Sequence, residues 1–329
     1  MIARFVLFAA LGLMLAARAA AEDITVTAVP VEAFKGAKAG ERVDGLIWRG
    51  GFQMQSDAMQ FGGLSGIAFT GRDQKLAFVS DQGWFISGQL IYDEKGMPLE
   101  LVGVTADAIQ NSSGQDLPRA YARDAEAIDT IYRNGEPAAV RVGFENLTRV
   151  ADFDLDDGRP GGAAREVNIP DWLTRLRTNE SLEAVCIASP GSPVAGSTML
   201  ITEGDETPDG TLAAYMRGHR DRGDFAIVKT EGLNPTDCAF LPNGDMLLLE
   251  RGTGLLGFTM QIRRISADKV QPGTAITGDV ILTASGGSID NMEGIAVHTA
   301  PDGETRVTLV SDDNFNDWER TLLLEFGVP

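Results

Sequence analysis

Five side chains with an oxygen to offer recur along the chain at intervals of 61, 57, 54 and 56 residues: Ser65, Glu126, Glu183, Asp237 and Glu293. Each heads a short apolar run, as Glu293 does before Ile295-Ala296-Val297. A turn and a second apolar run follow, and that run ends on another acid: Asp81, Glu145, Glu203, Glu250 or Asp312. Carboxylates gathered at one register can hold a hard cation through oxygen ligands, and they can accept or supply a proton during hydrolysis. An acid at a strand head can also do no more than hydrogen-bond a tight turn. The recurrence of the whole set, uneven in residue type, favours a site over a structural staple.

The elements that must position these residues are strands. "GGLSGIAF" and "KLAFVSDQG" form the first repeat, and "NMEGIAV" and "RVTLVSDDNF" the fifth. A period of this length, built from short apolar runs and Gly/Pro/Asn turns, reads as an all-β chain and a β-propeller. Each repeat has room for two more strands: "GQLIYDE" and "LELVGVTA" in the first, "GFTMQIRRIS" and "DVILTAS" in the fourth. The last repeat stops at a third strand, "RTLLLEFGV". The N-terminal "DITVTAVPVEAF" is expected to supply its fourth, which joins the chain ends and removes open sheet edges. This gives five blades; a sixth stays open if "GLIWRGGFQMQS" (45–56) adds a strand pair of its own. "DWLTRLRTN" (171–179) is the best helical stretch.

Inner strands of a propeller surround one axis, so their heads form a ring, and the ends of the antiparallel second strands lie beside it. Two carboxylates 8 Å apart repel by roughly 2 kcal/mol at an effective dielectric near 20. The basic residues near these motifs are Arg123, Arg149 and Arg251. A cation is the simpler neutraliser, and Ca²⁺ is the one expected. Its ligands are read as Glu126, Glu183, Asp237 and Glu293 with Ser65, and Asn146, Asn179, Asn234, Asn291 and Asn314 could add neutral oxygens. Glu145, Glu203, Glu250 and Asp312 are read as supports or the general base, and Arg251 as a stabiliser of developing negative charge.

Residues 1–21 read as a secretory leader: Arg4, an apolar run from Phe5 to Ala17, then small residues suited to cleavage. Residues 22–60 hold the closing strands and lead-in, and 61–329 the propeller. The protein is therefore expected in the periplasm or secreted. Without the leader, 26 basic side chains face 47 acidic ones, a net charge of −21. That excludes nucleic acid and an anionic membrane as natural partners, and no later apolar run is long enough to span a bilayer. An exported chain permits a disulfide between its two cysteines, Cys186 and Cys238; two buried thiols are the alternative.

The chain has only two histidines, His219 in a charged loop and His298 after a strand, which makes a Ser-His-Asp triad improbable. "GLSGI" is not the G-x-S-x-G elbow. "DFDLDDG" (152–158) lacks the closing Glu of an EF-hand and reads as an acidic hairpin. There is no phosphate-binding loop and no dinucleotide fingerprint.

"FGGLSGIAF", "VSDQG", "RDAEAI", "FENLTRV", "NESLEA", "PTDCAFLPNGDMLLLER" and "NMEGIAV…LVSDDNF" resemble the blade motifs of the esterase-like phytase family, exported bacterial proteins with a phytase-like domain. The resemblance covers the chain from about Phe61 onward. It implies a β-propeller and suggests hydrolysis of an ester or phosphoester. The register also resembles calcium-dependent lactonase propellers. The function expected is a Ca²⁺-dependent hydrolase of a small ester, lactone or phosphoester. The alternative is a non-catalytic propeller that binds a partner or ligand, with the acids structural.

Overall fold

The computed structural model describes residues 21–329 apart from 119, 220, 255 and 256. Residues 1–20 of the expected leader thus lie outside the described residues. The chain folds into a propeller of five antiparallel blades, each with its first strand innermost and its fourth at or next to the rim. The inner strands are Leu64–Phe69, Ala125–Arg133, Leu182–Ile187, Asn234–Phe240 and Asn291–Thr299. Leu64–Phe69 is buried on both faces because it lies between two neighbours, whereas the outer strand Arg222–Ile227 alternates with solvent. Turn chemistry separates the strands of the second blade. Asn134-Gly135 (φ 54° and 82°) and Asp157-Gly158 (φ 50° and 81°) take the left-handed conformations of tight hairpin loops.

Five apolar clusters fill the five gaps between blades. The smallest, around Leu173, Leu182 and Val185, separates the second blade from the third. Near the axis the inner strands approach closely. A Cβ on Gly66 would lie 3.0 Å from the Ile128 nitrogen of the next blade, and one on Gly294 would lie 3.0 Å from Gly66 Cα.

The ring closes through the N-terminal segment, but by a different strand from the one expected. Leu46–Gln55 pairs with Leu322–Gly327 and is the fourth strand of the last blade. Thr27–Pro30, from "DITVTAVPVEAF", pairs outside it as a fifth. "GLIWRGGFQMQS" therefore makes no sixth blade. The segment carries the large side chains Trp48 and Phe52, both fully buried, where "DITVTAVP" is mostly exposed. Apolar bulk decides which segment enters the blade. The helix in "DWLTRLRTN" is one turn, Asp171–Thr174. The acids of "DFDLDDG" are paired individually: Asp152 with Arg141, Asp154 with Arg165 and Asp157 with Lys75. Cys186 and Cys238 form a disulfide between the inner strands of the third and fourth blades, with Cα atoms 5.5 Å apart.

The acidic mouth as candidate metal centre and active site

Every inner strand carries one extra residue near its start. The register with the second strand slips at Ser65, Glu126, Glu183, Thr236 and Glu293, a β-bulge repeated in all five blades. A bulge bends the strand and re-aims a side chain. Ser65, Glu126, Glu183 and Glu293 line a cavity of about 390 Å³ at this end of the axis. Around them stand Glu203, Arg251 and Asp312 from the second strands and Asp81 and Glu145 just past the ends of theirs, with Asp124, Asn179, Glu180, Asn234 and Asn314. Among the described lining residues, nine are carboxylic acids and one is a base, Arg251.

Two of the expected acids are elsewhere, and both belong to the fourth blade; of the expected asparagines, Asn146 and Asn291 do not line the cavity. The residue at its bulge is Thr236; Asp237 is one place further along. Asp237 is equivalent to Gly66, Ala127, Ala184 and Gly294, which turn toward the neighbouring blade and are therefore small. Its carboxylate enters that gap and accepts hydrogen bonds from the backbone N–H groups of Cys238 (2.8 Å) and Ile295 (2.9 Å), stapling the fourth blade to the fifth. Glu250 is likewise one place off, because Arg251 is the residue that pairs with Asn234 as Asp312 pairs with Asn291. Glu250 is fully buried inside its blade. It accepts both arms of Arg263 (2.6 and 2.7 Å) and the side-chain amide of Gln261. A one-residue shift in a strand changes the face of a side chain, so these two acids serve the fold and not the mouth.

Of the three candidate neutralisers only Arg251 reaches the acids. It lies 2.9 Å from Glu293 and 3.8 Å from Glu203. Arg123 donates to the Leu117 carbonyl, and Arg149 to the carbonyls of Leu147 and Ala122, with its guanidinium over the Phe144 ring. Asn146 is turned to Asp124, and Asn234 donates to Glu203.

The carboxylates fall into two halves. On the second and third blades, Asp124, Glu126 and Glu145 each offer an oxygen within 4.8 Å of the others, and so do Glu145, Glu183 and Glu203. Glu145 belongs to both groups, and its Oε1 also accepts from the Ser181 N–H. Burial, then the charge of Asp124, drives Glu126 well above the usual carboxylate range; burial and Glu126 do the same to Glu183. Glu145 is pushed up to about 7 by burial, against hydrogen bonds from Glu183 and Ser181 that lower it. Without a cation this group keeps protons, and Glu145 and Glu183 meet carboxyl to carboxyl. On the other side, burial raises Asp312 to about 8, Glu293 to about 7 and Asp81 to about 6.

The donor set fits a hard cation. All candidate ligands are oxygens, no thiol or imidazole lines the described mouth, and Asp81 Oδ1 is buried without a hydrogen-bond partner. The mouth residues missed in the sequence, Asp124 and Glu180, and the bulge residue Thr236 all lie inside "RDAEAI", "NESLEA" and "PTDCAF". The signal for Thr236 was a spacing shared by three of the five repeats: Asp124, Asn234 and Asn291 each stand two places before the bulge residue.

Residues 59–315 match the family model described as phytase-like, esterase-like activity of phytase. The chain belongs to this phytase-like family. No curated protein matches it in sequence. Among solved structures it is similar to the PQQ-bound form of an aldose sugar dehydrogenase from Streptomyces coelicolor. The two are 14% identical, covering 84% of this chain and 97% of that one, with a TM-score of 0.44. It is also similar to a thermostable family-43 glycoside hydrolase, at 10% identity over 80% of this chain and 89% of the other, with a TM-score of 0.46. In this phytase-like propeller the acids gather at the bulged ends of the inner strands.

Proposed function

We propose that this phytase-like propeller is a Ca²⁺-dependent hydrolase that acts on a small ester, lactone or phosphoester at the acidic mouth. The observation that carries the reading is the pair of oxygen clusters sharing Glu145. Nine carboxylic acids meet in one small cavity, while a structural staple needs only one acid per turn. Asp124, Glu126, Glu145, Glu183 and Glu203 would hold the ion. A bound calcium would supply charge neutralisation and polarise the substrate's carbonyl or phosphoryl oxygen.

The chain's own residues supply the rest. Asp312 keeps a proton near neutral pH because it is buried, so it is suited to pass a proton between water and the leaving group. Arg251 would stabilise the negative charge that develops at the attacked centre. Glu293, 2.9 Å away, holds that guanidinium in place. A free polyanion is repelled by this mouth. A lactone or carboxylic ester meets no such barrier, which makes a carboxylic ester the first substrate class to try.

A site outside the cytoplasm agrees with the buried disulfide. No helix among the described residues is long and apolar enough to cross a membrane. Calorimetric titration of the chelated protein with calcium, beside Glu145→Gln, tests the reading. Saturable binding lost in the variant supports it. Absence of binding, with melting unchanged by chelation, would leave the acids as structural and favour a non-catalytic propeller.

A further inference from the structure

At the other end of the inner strands lies a second and larger cavity, of about 1660 Å³. Its apolar wall includes Ile67, Ile187, Phe240, Ile295 and Val297. Its charged wall reverses the character of the molecule. Among the described lining residues are four arginines, Arg72, Arg141, Arg217 and Arg222, against one carboxylic acid, Asp129. That acid is occupied: its two oxygens accept from the backbone N–H groups of Thr130 and Ile187. On a chain with a formal net charge of −19, a cation-rich cavity opposite an acidic mouth calls for an explanation.

Three of the arginines form a row across the second and third blades. Arg222 and Arg217 are direct cross-strand partners, and Arg217 is in turn paired with Thr198. Arg141 donates to the Thr198 hydroxyl from the neighbouring blade. Like charges directly opposite on antiparallel strands destabilise a sheet. Of these three, only Arg141 has a carboxylate partner among the described residues, Asp152, which takes both arms of its guanidinium; the fourth arginine, Arg72, pairs with Glu136. Arg217 donates from Nε to the Asn168 carbonyl, a neutral acceptor. Burial, then the charge of Arg141 and last that of Arg222, lower the Arg217 pKa against the opposing charge of Asp152, so this group gains from an added anion. The row borders the gap between blades that has the smallest apolar cluster.

We propose that this cavity is a second ligand site, separate from the acidic mouth, for a small amphipathic monoanion. Its apolar body would occupy the space beside Ile67, Phe240, Ile295 and Val297, and its carboxylate would lie against Arg217 and Arg222. Planar guanidinium groups suit a carboxylate, which they can engage through two parallel hydrogen bonds. The apolar wall supplies the non-directional part of the affinity.

Decanoate is the probe, with decanol as its uncharged counterpart, both titrated by displacement of a fluorescent apolar dye. Decanoate should bind saturably and at least tenfold more tightly than decanol. The Arg217→Ala/Arg222→Ala variant should erase that preference while decanol binding stays within twofold. Thr299→Trp, which adds bulk at an exposed position of the lining without touching a charge, should weaken both probes. Glu145→Gln, in the acidic mouth, should change neither. Equal affinity for decanoate and decanol in the wild type, or a decanoate preference that survives loss of both arginines in a protein of unchanged melting, would overturn the proposal. So would decanoate binding that is lost in Glu145→Gln but kept in Thr299→Trp.

Discussion

Arg251 Nη2 lies 2.9 Å from Glu293 Oε1, bridging the fourth and fifth blades at the acidic mouth. It replaces, in the fourth blade, the acid that the other four blades carry at the same register. One cation facing nine acids cannot neutralise the cavity, so its value is positional. Arg251→Met should lower kcat by about 10²–10³-fold, the usual effect of removing one donor to a developing oxyanion. Arg251→Lys should recover part of it. Calcium affinity should stay the same or rise, because a repelling charge is lost. Steady-state kinetics with an aryl ester, paired with calorimetry, reads both. Equal turnover in wild type and Arg251→Met would remove the residue from the reaction.

The chelated protein should lose stability as pH rises. Asp81, Glu145, Glu293 and Asp312 titrate in the folded state at about 6, 7, 7 and 8. In the unfolded chain they titrate near 4. Between these limits the folded protein binds more protons than the unfolded chain, so the slope of stability against pH is negative. The stabilisation is complete at the acid end of the window and is lost as pH passes 6 to 8. Melting of chelated protein should be highest near pH 5 and lowest near pH 8. Saturating calcium should flatten or reverse the trend, because it binds the ionised form. A chelated protein that melts higher at pH 8 than at pH 5 would mean that the mouth ionises without cost.

Much of this was legible in the sequence, and the exceptions share one cause. The recurrence of apolar pairs headed by an oxygen-bearing side chain defined blades, axis and mouth, because a period near 57 residues has few other readings. Asp237 and Glu250 misled by one residue each. In the fourth repeat the bulge position holds Thr236 and the second-strand position Arg251, so the conspicuous acids beside them drew the alignment. A strand that slips by one residue exchanges its faces, and composition cannot show where a bulge falls. The closing strand was misplaced for a related reason. "DITVTAVP" alternates like a strand, but Leu46–Gln55 brings Trp48 and Phe52, whose burial outweighs a tidy pattern.

Glu250 and Asp237 should therefore behave as structural residues. Glu250→Gln leaves Arg263 buried without its counter-charge, and breaking such a pair costs on the order of 3–5 kcal/mol. Asp237→Ala strands the backbone N–H groups of Cys238 and Ile295, at roughly 1–3 kcal/mol for each. Both variants should unfold at lower denaturant concentration. At a temperature where they remain folded, turnover per active molecule and calcium affinity should match wild type. A calcium affinity lowered tenfold by Asp237→Ala in folded protein would return that acid to the ligand set.

The disulfide offers a test of how strongly the third and fourth blades depend on it. Cys186 and Cys238 are buried and 52 residues apart in sequence. Closing a loop of this length in the unfolded chain is worth about 4 kcal/mol in the chain-entropy model. The bond joins the inner strands of two adjacent blades, which carry the bulge residues Glu183 and Thr236. Cys186→Ala/Cys238→Ala should lower the denaturation midpoint by an amount equivalent to about 2–4 kcal/mol. The inner strands are also held by their own ladders and by the apolar cluster of that gap. The folded variant should therefore keep its calcium affinity to within a few fold. A midpoint unchanged by the double substitution would mean that packing in this gap alone sets the stability; a calcium affinity that falls along with the midpoint would mean that the bond fixes the geometry of the mouth.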